Sequence, residues 1–144
     1  MSGASAGRRG SRWFLAALLL LAGCALLTGC DGREAQARAD FGRSAAQVLA
    51  TAQATPAGCD ELLSAAQLAD LNAPGAHLAC GRLTRSSAET RERLDRAYAA
   101  QQVTAWGDDE VASGAFAFGE GKGPPLLITL SLLPEPGALV LQAP

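Results

Sequence analysis

Cysteine, histidine and clustered carboxylates are the side chains best able to do chemistry near neutral pH, and this sequence is sparing with them. It holds four cysteines and one histidine. Cys59 and Cys80 are the two cysteines outside the apolar stretch near the amino terminus. In an oxidising compartment such a pair is expected to form a disulfide. Closing a loop of roughly 22 residues would stabilise the fold by about 3 kcal/mol on the chain-entropy estimate. A redox or nucleophilic thiol would need Cys-x-x-Cys spacing or an established basic partner, and the sequence offers neither. His77 lies three residues before Cys80, so Cys59, His77 and Cys80 could supply three soft metal ligands. They form no paired Cys-x-x-Cys knuckle, and a disulfide would consume two of them, so no metal is expected. His77 is also the sole ordinary candidate for a general base, set against the plainer expectation of a solvated or hydrogen-bonded loop histidine.

Other chemical patterns are weaker. Asp108-Asp109-Glu110 could hold a hard cation or supply paired carboxylates, but adjacent residues seldom aim at one point and EF-hand spacing is absent. A charged turn between a helix and a strand explains the run. Gly119-Glu120-Gly121-Lys122-Gly123 superficially suggests a phosphate loop, yet glycine rather than Ser/Thr follows Lys122, and the loop leads toward a strand. Neither a Gly-x-Ser-x-Gly elbow nor a His-Glu-x-x-His helix occurs. Tyr98, Trp106, Phe116 and Phe118 could line a ligand cleft between a helix and a sheet. With aromatics at 5% of the chain, they are expected to serve the core instead.

These residues must be carried by elements that the apolar spacing outlines. Phe41, Ala45, Val48, Leu49 and Ala52 fall at i, i+4, i+7, i+8 and i+11, one face of a first helix over about 34–54. Thr55-Pro56-Ala57-Gly58 breaks it with a turn. A second helix is expected over 60–71, with Leu62, Leu63, Ala66 and Ala69 inward, and Asn72-Ala73-Pro74-Gly75 stops it. Residues 77–84 are a strand or extended loop. Ser86-Ser87-Ala88-Glu89 then matches a capping box opening a third helix to about Ala105. On that helix Glu89 with Arg93 and Glu92 with Arg96 mark the wet face; Leu94, Tyr98 and Ala105 mark the dry one.

Beyond it the period becomes strand-like in three runs, 111–118, 126–133 and 138–142, joined by turn-rich linkers. Pro136-Gly137 suits the centre of a type II turn. Ile128, Leu130 and Leu132 alternate with Thr129 and Ser131, giving the middle strand one apolar face. The expected fold class is α+β, with two to three helices packed on one face of a small C-terminal antiparallel β-meander. This order of elements is similar to the cystatin and NTF2-like superfolds, which host enzymes, binding modules and envelope proteins alike and so imply no particular activity.

The amino terminus carries an address. Residues 1–12 are small and polar with three arginines, and residues 13–30 follow without a charge, an n-region before an h-region. The most apolar part, 14–27, suits a secretory signal and falls short of the roughly 20 residues a spanning helix needs. Leu27-Thr28-Gly29-Cys30 resembles the lipobox of bacterial lipoproteins, and Leu21-Ala22-Gly23-Cys24 satisfies the same pattern. The resemblance implies that the thiol receives a diacylglycerol and that the peptide bond before it is cleaved. Cys30 is favoured over Cys24 because its h-region is longer and the polar Asp31-Gly32-Arg33 follows it. Asp31 resembles the inner-membrane retention signal of enteric lipoproteins, which favours that membrane over the outer one and leaves both open.

From Cys30 onward the chain keeps all fourteen acidic groups but only nine of the twelve basic ones, so it should repel phosphate backbones; no nucleic-acid partner is expected. The expected organisation is a signal peptide over 1–29, a short tether over 30–38 and one α+β domain over 39–144. The expected role is a non-catalytic envelope lipoprotein, acyl-anchored and facing the periplasm, that binds an envelope protein, a polymer or a small apolar ligand without a cofactor. Two alternatives stand beside it. One is a periplasmic hydrolase using isolated carboxylates; the other is an accessory subunit of a membrane complex that keeps its hydrophobic leader as an anchor.

Overall fold

The computed structural model describes residues 11–71, 74–107, 110–119 and 123–144, with side chains from residue 32 onward. Two compact units divide the chain, Met1–Ala37 and Arg38–Pro144. In the first, residues 11–37 are helical. They open α1 (Ser11–Ala52), which begins well before the helix expected from about residue 34. The apolar run itself is rich in Ala and Leu, both strong helix formers.

The second unit is α+β. The five apolar positions of its α1 stretch, Phe41, Ala45, Val48, Leu49 and Ala52, are all buried, as their spacing requires. After them the chain forms β1 (Thr55–Ala57), α2 (Cys59–Leu62), α3 (Ala65–Leu71), β2 (His77–Arg82) and α4 (Ser87–Tyr98). Four strands complete it: β3 (Gln102–Thr104), β4 (Ala112–Phe118), β5 (Leu126–Leu133) and β6 (Ala138–Ala143). All six strands form one antiparallel sheet in the order β1-β2-β6-β5-β4-β3. The expected meander of β4, β5 and β6 is therefore its centre and one flank, with β2 added beside β6 over the full register His77↔Ala143 to Arg82↔Ala138.

The expectations need correction in several places. The segment 55–57, expected as a turn, is an edge strand, where one free side leaves room for a proline that cannot donate. The second helix is two: α2 ends at Leu62, and Ser64 caps α3 reciprocally with Gln67. As a result Leu62 and Leu63 are buried, whereas Ala66 and Ala69 are exposed. The third helix ends at Tyr98 instead of about Ala105, because the following residues pair with β4, and the Ala117 N–H donates to the Gln101 carbonyl. Ala105 is exposed. The loop 134–137 closes through the Gly137 N–H to the Leu133 carbonyl, one residue wider than a type II turn centred on Pro136-Gly137. Gly137 does hold the left-handed φ of +79° for which glycine is suited.

Helices also cover both faces of the sheet, not one. Strand residues of opposite parity point to opposite faces. On one face Phe116, Ile128, Leu130, Leu132, Leu139 and Leu141 meet the α1 stripe and Leu94 and Tyr98 of α4 in the main core. On the other, Leu133, Ala138, Val140 and Cys80 meet Leu62 and Leu63, with Leu68 and Leu71 of α3 packed alongside.

The capping box is formed as expected: the Ser86 hydroxyl accepts from the Glu89 N–H, and the Glu89 carboxylate accepts from the Ser86 N–H. Glu92 pairs with Arg96 at 3.6 Å. Glu89 instead turns to Ser86 and approaches Arg85 at 4.0 Å rather than Arg93.

Candidate functional site

The disulfide joins Cys59 at the start of α2 to Cys80 in β2, with the Cα atoms 5.2 Å apart. Its position follows from the sheet: Ala57 in β1 is the register partner of Cys80, so Cys59, two residues on, is carried to the same place. The bridge thus locks a three-residue edge strand and the helix that follows it. Cys80 is buried. Both sulfurs are bonded to each other, so no thiolate remains there to bind a metal.

His77 is not near that pair in chemical terms. A spacing of three along a strand puts side chains on opposite faces. His77 stacks on Phe41 of α1, with ring centroids 5.6 Å apart, while Cys80 joins the cluster on the other face. Among the described residues no group of three or more His, Cys, Asp or Glu side chains is placed to hold a metal ion. Of the acidic run only the exposed Glu110 is described; Asp108 and Asp109 lie outside the described residues, as do Glu120, Gly121 and Lys122.

The four aromatic residues all enter the main core. Trp106 donates from Nε1 to the Asp95 carboxylate, and the Arg91 guanidinium lies 5.9 Å from the centre of its ring. These contacts tie the chain after β3 to α4. Tyr98 and Phe118 do more than fill the core, because their edges also reach a cleft of about 500 Å³ at one end of the unit. Tyr98 and Phe118 meet edge to face at 5.2 Å, and the Tyr98 hydroxyl is engaged with Thr51 Oγ1 at 3.0 Å.

That cleft is the candidate site. Its apolar floor is Tyr98, Phe118 and Leu126; its rim is Asp40, Arg43, Ser44 and Gln47 of α1, with Gln101 opposite. α1 supplies both kinds of surface: Phe41, Ala45 and Val48 go into the core, and Asp40, Arg43, Ser44 and Gln47, at i, i+3, i+4 and i+7, form the adjacent stripe. Arg43 donates to Asp40 at 3.1 Å. Among the described residues, the side chains of Ser44, Gln47 and Gln101 make no hydrogen bond to another residue. The described part of the lining offers hydroxyl and amide donors and acceptors above an aromatic floor.

Sequence reasoning reached Tyr98 and Phe118 but not the rim. The i, i+3, i+4, i+7 polar stripe was available as a signal, yet a polar helix face is ordinarily just solvated. Nothing local distinguishes it until the end of α4 and the adjoining ends of β4 and β5 are placed beside it.

Cys24 and Cys30, the expected acylation sites, lie where α1 is helical but where side chains fall outside the described residues. Among the residues whose side chains are described, no helix is long and apolar enough to cross a membrane. No family model, no curated protein and no solved structure matches this chain.

Proposed function

We propose that this chain is a lipid-anchored lipoprotein of the bacterial cell envelope, acylated at Cys30, whose Arg38–Pro144 unit faces the periplasm and binds rather than catalyses. The observation that carries the proposal is the leader: three arginines, an uncharged stretch over 13–30, and Leu27-Thr28-Gly29-Cys30 at its end. The Cys59–Cys80 disulfide supports export, because such bonds persist in oxidising compartments. Acyl chains contribute about 0.8 kcal/mol per buried methylene, and two or more chains make an anchor persistent. The partner is an envelope protein or polymer, and the mildly acidic exported part argues against nucleic acid. Asp31, following Cys30, favours the inner membrane.

Metabolic labelling with radioactive fatty acid tests the proposal. The wild-type chain is expected to take up label, to fractionate with membranes, and to show by intact mass the loss of residues 1–29. Cys30→Ser is expected to lose the label and release the protein. Label retained in Cys30→Ser and lost in Cys24→Ser would move acylation to Cys24. An unlabelled wild-type chain of full-length mass would refute lipidation.

A further inference from the structure

We draw no further inference here: the strongest candidate, the outer edge of β3 (Gln102–Thr104) with its exposed Val103, carries nothing because among the described residues nothing in the structure shows what covers it.

Discussion

Breaking the Cys59–Cys80 bridge should lower stability chiefly through the unfolded chain. In the native sheet Ala57 pairs with Cys80, so the two sulfurs remain neighbours whether or not they are bonded. In the unfolded chain nothing else holds them, and a sequence separation of 21 residues defines the loop released. The chain-entropy relation for a loop of this size gives about 3 kcal/mol. For a unit of about 100 residues, where 1 kcal/mol moves the melting temperature by roughly 4–8 °C, the expected fall is about 12–24 °C. The assay is thermal unfolding followed by circular dichroism, comparing the oxidised chain with Cys59→Ala/Cys80→Ala and with the wild type in excess dithiol reductant. The two reduced forms should melt close together, the double variant slightly lower because truncating buried Cys80 also leaves a small void. A fall of less than about 4 °C, equivalent to about 1 kcal/mol, would refute the loop-entropy reasoning. It would mean that β1 and α2 are held by their other contacts in both states.

Three further outcomes follow from the packing. Leu94 of α4 is fully buried between α4 and the sheet, and Leu94→Ala should cost about 2–5 kcal/mol in urea unfolding; a cost below about 1 kcal/mol would mean the site is not packed. A Cβ at Gly81 would lie 2.6 Å from Leu49 Cδ2, so Gly81→Ala should destabilise by about 1–3 kcal/mol, and adding Leu49→Ala should cost less than the two single changes together. Hydrogen bonds from Ser86, with a smaller contribution from Arg85, hold the Glu89 carboxyl below its ordinary value of 4.5. Its contribution is then present above that ordinary value and is lost as pH falls through the lowered one. Ser86→Ala should cost about 1 kcal/mol near neutral pH, and Glu89→Gln should remove this part of the acid-side decline in melting temperature, a flattening that its absence in the variant would disprove.

Much was legible in sequence where one short-range rule acted alone. The stripe from Phe41 to Ala52 became the buried face of α1 because helical period and burial agree along its length. Ser86 and Glu89 capped α4 because both partners lie within one turn. The alternation of Ile128, Leu130 and Leu132 produced a strand with one core face, and two cysteines beyond the apolar N-terminal stretch were enough to expect their bond.

Tertiary structure decided the rest, where local preference was weak or divided. Gln102 to Thr104 carry no strand pattern and join the sheet because the exposed hydrogen-bonding edge of β4 is there to pair with. Thr55 to Ala57 become strand for the same reason beside β2. The placement of β6 between β2 and β5 depends on residues some 60 positions apart finding a common register, which no local window contains. The cleft is the sharpest case. Asp40, Arg43, Ser44 and Gln47 form an ordinary polar helix face until the end of α4 and the adjoining ends of β4 and β5 come beside it. Amino-acid order thus determined the main helical stripe, the cap of α4 and the pairing of sulfurs, whereas long-range strand pairing decided which surfaces meet, because each such contact is chosen by packing against partners distant in the chain.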